Sequence, residues 1–313
     1  MPDPLNIVFM GTPDFAVPSL KALKDYGCTV PLVVTRTDRP KGRGRKMVPP
    51  PVKIAATELN YPVFQPEAVN TDEFYNKILQ IHPDLLVVVA FGHILPKKIL
   101  EIPIYGAINI HASLLPKYRG PAPIQRAIIN GESETGVTTM LMDKGLDTGE
   151  ILLTSTVPIH PDDTAEILHD RLADVGADLI KKTLTRIENK TLQPIPQEHA
   201  KATYAPMLKK KDGQIDWSLP ADQIERFIRG MTPWPGAYTF YGNKRLKIFK
   251  AALKSTPSSD PPGKVIKGFS NELRVATGNG VLSILEIQGA SGKRLAVADF
   301  LRGNSIPTGT ILT

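Results

Sequence analysis

Leu85-Leu-Val-Val-Val-Ala90 is apolar at every position and β-branched at its centre. A strand that offers apolar side chains to both faces belongs in the middle of a parallel sheet, where helices cover both sides. The run reaches only to Phe91 and lies between Asp84 and His93, far short of the ~18 residues that a membrane span needs. On its N-terminal side Phe74, Ile78 and Ile81 repeat with the period of a helix, and on its C-terminal side Gly106–His111 reads as the next strand. The same alternation runs on in both directions. Asn6–Met10 predicts a strand, Thr12-Pro-Asp-Phe a turn, and Val17, Leu20 and Leu23 a helix face whose Pro18 is tolerated in the first turn. Val30–Thr35 predicts a strand and Val52–Leu59 a helix. Val137–Met142 and Ile151–Val157 predict two more strands, and Thr164–Glu188 a long helix striped by Ile167, Leu168, Leu172, Val175, Leu179 and Ile180. Strands alternating with helical segments specify an α/β domain built on a doubly wound sheet.

At 313 residues the chain has room for about two domains. The texture changes after residue 190, where Thr191-Leu-Gln-Pro-Ile-Pro and Tyr204-Ala-Pro-Met-Leu-Lys-Lys-Lys-Asp-Gly read as an extended basic linker. A boundary near 206 gives domains 1–206 and 207–313. The second shows one helix, Ala221–Arg229, and short strands at Arg245–Ala251, Lys264–Ile266, Leu273–Ala276 and Val281–Gln288, a spacing that fits a small β-barrel. With 42% hydrophobic residues the chain is neither disordered nor fibrous. The N-terminal Met-Pro-Asp-Pro-Leu-Asn lacks the basic start of a secretory signal, and a lone cysteine, Cys28, makes no internal disulfide, so a reducing cytoplasm is expected.

The net charge of +7 is unevenly placed. Residues 1–206 carry −1, whereas residues 207–313 carry 16 Lys and Arg against 8 Asp and Glu. Within the first domain, Arg36, Arg39, Lys41, Arg43, Arg45, Lys46 and Lys53 face Asp38 alone, in a Gly- and Pro-rich stretch too long for an ordinary strand-to-helix connection. Two separate basic surfaces on an otherwise acidic chain are the footprint expected of a polyanion partner, although any single cluster also reads as a solvated face.

Open α/β sheets bind ligands beyond the C-terminal ends of their strands. A dinucleotide is disfavoured, because Gly11-Thr-Pro-Asp-Phe-Ala lacks the second and third glycines of the phosphate turn. At the exit of Gly106–His111, strand periodicity puts Asn109, His111 and Ser113 on one face, while Met142-Asp-Lys-Gly-Leu-Asp-Thr-Gly-Glu150 adds Asp143 and Asp147 after the following strand, on the same rim. Either aspartate is placed to reach the histidine. An amide donor, an imidazole and a carboxylate suit attack by a substrate's own amine on an acyl carbon. A hydrolytic metal site of His111, Asp143 and Asp147 or Glu150 lacks the usual ligand spacing, and Ser113 lacks a nucleophile elbow.

Asn109-Ile-His111-Ala-Ser113-Leu-Leu-Pro116-Lys-Tyr-Arg-Gly120, followed by Asp143-Lys-Gly-Leu-Asp147-Thr-Gly, resembles the active-site signature of the folate-dependent formyltransferases. Further matches are Gly11–Ala16, Asp38–Arg45, Lys211-Asp-Gly-Gln-Ile-Asp-Trp217 and Pro233-Trp-Pro-Gly-Ala237, spread over the whole chain. The resemblance extends to members of the family that act on the initiator methionyl-tRNA. The resemblance implies a Rossmann-like N-terminal domain that binds 10-formyltetrahydrofolate and an OB-like C-terminal barrel that helps to hold tRNA. It places catalysis on Asn109, His111 and Asp147, and folate binding on Ser113, Leu114, Leu115 and Pro116. No metal enters. With the basic surfaces it implies tRNA contacts at Lys41, Arg43, Arg45, Lys46, Lys209, Lys210 and Lys211, on a chain expected to be a monomer. Formyl transfer to a sugar nucleotide or other small amine, hydrolysis of the formyl donor, and a non-enzymatic RNA-binding protein are the competing readings. The first leaves the basic surfaces unexplained, and the third leaves the three catalytic positions unexplained.

Overall fold

The computed structural model describes residues 4–41, 46–256, 258–269, 271–290 and 292–313, with the backbone alone at Lys41. The chain forms two compact units: residues up to Pro123 with Thr135–Pro158 and His169–Ala205, and Ile124–Glu134 with Ile159–Leu168 and Pro206–Thr313.

The first unit begins with β1 (Asn6–Gly11), α1 (Val17–Tyr26) and β2 (Thr29–Val34). Pro18 lies in the first turn of α1, where its missing N–H costs nothing, and Gly27 ends the helix at φ 92°. The basic stretch then carries a two-stranded ribbon, β3 (Arg39–Lys41) against β4 (Lys46–Val48). After it come α2 (Pro51–Glu58), β5 (Val63–Phe64), α3 (Asp72–Ile81), β6 (Leu85–Val89), α4 (Lys97–Leu100) and β7 (Ala107–His111). In chain order, helix α5 (Pro123–Ile129), strands β8 (Glu134–Leu141) and β9 (Ile151–Pro158) and helix α6 (Ala165–Glu188) follow, with all of α5 past Pro123 and the first residues of α6 counted in the second unit. Apart from the β3–β4 ribbon, these strands form one seven-stranded sheet, in the order β5-β2-β1-β6-β7-β8-β9.

Strands β2, β1, β6 and β7 are mutually parallel, with Phe9 level with Val87 and Val87 level with Ile108. One face buries Val8, Met10, Leu86 and Val88 with Phe74 and Ile78 of α3. The alternate residues Ile7, Phe9, Leu85, Val87 and Val89 are equally buried on the other face, as the apolar run of β6 requires. Ile167, expected on the buried stripe of α6, is 48% exposed. The stripe runs through Leu168, Leu172, Leu179 and Ile180, and Ile167 lies one position around the helix from its first member. Burial, followed by the Glu188 carboxylate, pushes the Cys28 thiol up to about 12, so it is no nucleophile at neutral pH.

His169 sits 3.5 Å from Asp14 and 2.9 Å from Asp170. The hydrogen bond to Asp14 raises the imidazole above its ordinary range, and the same bond lowers Asp14. The raised histidine stabilises the fold below its ordinary value and loses that contribution as pH rises through its folded value. The lowered aspartate contributes above about 4. Asp14→Asn is therefore expected to lower stability most between about pH 4 and 6.5, by less than about 1 kcal/mol, with the gap closing as pH rises past the raised value of His169. Melting curves of the two proteins across that range check this.

The second unit contains α7 (Ala221–Met231), β10 (Ala237–Tyr241), β11 (Lys244–Lys254), β12 (Val265–Ile266), β13 (Leu273–Ala276), β14 (Val281–Gln288), β15 (Leu295–Ala296) and α8 (Val297–Gly303). The antiparallel order is β10-β11-β14-β13-β12, with β15 added beside β14. The sheet curls until its C-terminal residues stitch its two edges together. Thr313 exchanges backbone hydrogen bonds with Phe240 of β10, while Thr310 accepts from Val265 of β12. The two motifs after the linker meet inside this unit: a Cβ on Gly213 would lie 2.2 Å from the Gly236 carbonyl oxygen, so only glycine allows that approach. Trp217 donates its indole N–H to Thr239 at 2.9 Å. Residues 124–134 and 159–168 pack with this unit, departing from a contiguous first domain. Gly230 of α7 lies so close to α5 that a Cβ would come 2.6 Å from Ile129, and Arg229 donates to the Asp163 carbonyl.

Candidate active site

The parallel order reverses between β1 and β6, so the loops leaving β1, β6 and β7 border one crevice. Thr12 Oγ1 donates to the Phe91 carbonyl at 2.8 Å and ties the first two loops together. At Gly92 the backbone turns through φ 83°, and a Cβ there would meet the Arg36 guanidinium at 3.1 Å. Burial lowers His93 below its ordinary range, and the charges of Arg36 and Arg39 lower it further. Of these residues, Thr12 and Arg36 stand in motifs the sequence singles out without a role at this rim, and Phe91–Gly92 carry no signal of their own. The topological reversal that marks them depends on strand order.

On β7, Asn109 is level with Val88 of β6 and half-buried, whereas Ile110 faces the other way, beneath Gly176 of α6. His111 ends the strand and is buried. Its Nε2 lies 3.0 Å from the Tyr118 carbonyl, and because a carbonyl only accepts, Nε2 carries the hydrogen. The lone pair of the neutral ring is then at Nδ1. Tyr118 turns its carbonyl to the ring from a left-handed conformation, φ 60°.

The carboxylate arrives by a different route from the shared rim that the sequence predicts. Strand β8 runs antiparallel to β7, with His111 opposite Thr138 and Ile108 opposite Leu141, so the 142–150 loop starts beside the beginning of β7 and not on its exit rim. Met142 N donates to the Ala107 carbonyl at 2.8 Å, which fixes that starting point. The loop then doubles back to bring Asp147 to the site. Asp147, at φ 52°, accepts from Gly120 N at 2.8 Å and from Asn109 Nδ2 at 3.4 Å. Its Oδ2 is 3.7 Å from His111 Nδ1. Ring orientation therefore comes from the Tyr118 carbonyl, while Asp147 supplies negative charge on the side where a proton would arrive.

Of the two candidate aspartates, Asp143 is spent locally, accepting from Gly145 N at 2.9 Å and Thr148 Oγ1 at 2.6 Å. Glu150 is exposed, and no group of three metal-ligating side chains gathers among the described residues. Ser113 lies past the end of β7, wholly buried, its hydroxyl donating to the Lys117 carbonyl at 2.6 Å. Thr138 Oγ1 donates to the Ser113 carbonyl and accepts from Leu115 N, so the 113–116 turn is anchored to β8. Leu115 is buried, and Leu114 and Pro116 are half-buried.

The return of the 142–150 loop depends on Gly149, where a Cβ would lie 1.8 Å from the Leu141 carbonyl oxygen. Backbone cannot yield as a flexible side chain would. Gly149→Ala is expected to destabilise the protein by about 1–3 kcal/mol, the usual cost of overpacking, and to displace Asp147. A lowered Tm together with a lost turnover checks it.

Of the cations expected to meet tRNA, Arg43 and Arg45 and the Lys41 side chain lie outside the described residues. Lys46 is exposed on β4, and Lys53 is engaged by Asp38 at 2.9 Å. Lys209, Lys210 and Lys211 are all exposed at a short 3-10 turn. Asp212 accepts from Lys209 N at 2.8 Å, and Tyr238 donates to the Lys211 carbonyl, so the backbone carrying these lysines is fixed.

The profile of the formyl transferase family matches residues 5–184, and that of the formyl transferase C-terminal domain matches residues 207–305. The chain is 51% identical to the methionyl-tRNA formyltransferase of Caldanaerobacter subterraneus subsp. tengcongensis, over 98% of this chain and 100% of that one. It is 50% identical to the methionyl-tRNA formyltransferase of Citrifermentans bemidjiense, over 98% and 96%. Among solved structures, the N-formyltransferase of Helicobacter canadensis, in complex with folinic acid and dTDP-3-aminofucose, superposes with a TM-score of 0.66 at 21% identity, covering 93% of this chain and 100% of that one. A variant of HypX from Aquifex aeolicus superposes with a TM-score of 0.66 at 17% identity, covering 97% of this chain and 49% of HypX. The chain thus spans about half the length of HypX, and these two likenesses concern the fold.

Proposed function

Because the chain belongs to the formyl transferase family, we propose that it moves a formyl group from 10-formyltetrahydrofolate to the α-amino group of methionine on initiator tRNA, giving formylmethionyl-tRNA, with Asn109, His111 and Asp147 as its catalytic residues. The observation that carries this is the convergence of one amide donor, one imidazole and one carboxylate at the exit of β7, with no nucleophile of the protein among them. Half-identity to methionyl-tRNA formyltransferases over nearly the whole chain favours tRNA over a small amine as the acceptor.

The folate, when bound, supplies the formyl group on N10. The crevice suits it: Asn109 Nδ2 carries two hydrogens, Asp147 takes one, and the other serves a carbonyl oxygen. When the neutral amine attacks the formyl carbon, Asn109 donates to the oxygen on which negative charge builds. His111 receives the amine's proton at Nδ1, the nitrogen left open by the bond from Nε2 to Tyr118. The imidazolium then faces Asp147, whose charge is held in place by Gly120 N. His111 returns the proton to the departing nitrogen. Ser113 shapes the 113–116 turn from within, and Leu114, Leu115 and Pro116 are the part of it that contacts folate. Lys41, Arg43, Arg45 and Lys46 contact the acceptor end of the tRNA. The lysines at 209–211 and the basic barrel hold its body, so that residues 1–206 carry the chemistry and 207–313 the recognition. We place the protein in the cytoplasm as a monomer.

The test is formyl incorporation into methionyl-tRNA, measured beside sugar-linked amines and water as acceptors. Faster transfer to a small amine or to water than to methionyl-tRNA would overturn the reading.

A further inference from the structure

Arg119 is the largest of the fully buried side chains, 2% exposed, and it lies between the two residues that hold the site's backbone. Tyr118 before it offers the carbonyl that orients His111, and Gly120 after it offers the N–H that holds Asp147. A guanidinium this deep needs acceptors. Its Nε and Nη2 donate to Gln197 Oε1 at 3.1 and 2.7 Å, and Nη2 also donates to His199 Nδ1 at 3.1 Å.

An arginine only donates, so Gln197 must turn its oxygen toward Arg119. The amide nitrogen is thereby aimed the other way, where Nε2 donates to the carbonyls of Asp147 at 2.9 Å and Gly149 at 2.7 Å. Carbonyls only accept, so the two ends of the amide are not interchangeable. The 118–120 segment and the 147–149 turn are thus joined by one buried side-chain bridge. Asp147 holds a left-handed conformation that an L-residue leaves readily unless its neighbours fix it.

We propose that Gln197 and Arg119 are positioning residues for the transfer: by clamping the turn's two carbonyls, they keep the Asp147 carboxylate at His111 and Asn109. The inference rests on the assignment of those three residues as the reacting site.

Gln197→Glu separates this role from packing. The substitution preserves size and leaves Arg119 an acceptor, now charged, but it removes both hydrogens from the turn's carbonyls. The expected result is a cooperative melt lowered by up to about 10 °C, because two buried carbonyls lose their donor. KM for methionyl-tRNA and for the formyl donor should change less than about threefold, while kcat falls about 10- to 100-fold, the usual cost of removing an outer partner that orients a site group. Hydrogen exchange at the Gly120 amide, which donates to Asp147, should quicken in the variant. Turnover within twofold of the wild type, or unchanged exchange at Gly120, would overturn the proposal. So would a melt far below the wild type, because the clamp would then be a stability element. If the wild type fails to formylate methionyl-tRNA, the functional reading falls, yet the exchange measurement still decides whether Gln197 holds the aspartate.

Discussion

Asn109→Ala and His111→Ala are each expected to lower kcat for formylation of methionyl-tRNA by about 10²–10⁴, with tRNA binding retained. Removing one oxyanion donor or one proton-transfer group has a cost of that order. Asn109→Ala leaves the oxygen that gains charge without its donor. It also takes away the 3.4 Å contact to Asp147, whose carboxylate still has Gly120 N. His111→Ala removes the only imidazole that bonds to the Tyr118 carbonyl among the described residues, and with it the proton acceptor beside Asp147. Asp147→Asn keeps the shape of the side chain but offers no charge to the imidazolium, so its turnover should fall with theirs. Single-turnover rates at saturating tRNA and formyl donor, set beside tRNA affinity, check all three. Turnover near that of the wild type in the Asn109 or His111 variant would remove that residue from the reaction.

The second large effect concerns tRNA. Replacing Lys209, Lys210 and Lys211 together by Ala is expected to lower kcat/KM for methionyl-tRNA about 50- to 100-fold near physiological salt, with kcat at saturation unchanged. Each phosphate contact contributes about 0.7–0.9 to the slope of log affinity against log salt, so losing three should flatten that slope by about 2–3. The three side chains are exposed, and the hydrogen bonds that fix their turn come from Asp212, Tyr238 and backbone groups, so folding should be spared. Salt titrations of tRNA affinity decide it. The same measurement on Arg43→Ala tests the basic stretch after β2, where an arginine can pair bidentately with phosphate and a lysine cannot.

Substitution serves here better than truncation. A cut near 206 looks clean from the linker, yet residues 124–134 and 159–168 belong with 206–313. Removing the C-terminal residues would strip Ile129 of its contact with Gly230 and Asp163 of its bond from Arg229. The linker's composition reports where the chain passes between units for the last time. It carries no record of two earlier excursions, since those are set by packing between residues a hundred positions apart.

Local patterning was enough for the elements whose burial is one-sided or complete. The apolar run of β6, the stripe of α3 and the periodicity of α6 each express a contact with the core that every residue of the element shares. Short elements such as α4, β10 and β15 have too few residues to show a period. Even at Ile167, where the pattern of α6 is strong, a position at the edge of the stripe ends up in solvent.

The residues of the site follow the same division. Asn109, His111 and Asp147 could be proposed from the chain because residue type, spacing and the surrounding motif are local, and the fold brings the three side chains together. How Asp147 reaches the other two was not legible, because the direction of β8 cannot be read from its own sequence and an antiparallel strand sends its loop to the other end of its neighbour. The motif resemblance already favoured Asp147 over Asp143, and the fold adds why: Asp147 turns in through a left-handed residue, while local bonds occupy Asp143. Arg119 stood inside the motif as an unassigned cation, and Gln197 stood in a linker with nothing to single it out. The sequence by itself determined which chemical groups this protein possesses and which core each element must join, because residue type and periodicity are local properties of the chain. Tertiary structure alone decided by what route the Asp147 carboxylate reaches the imidazole, which carbonyl orients the ring and which buried amide holds the turn, because those are distances between segments that only the folded chain brings together.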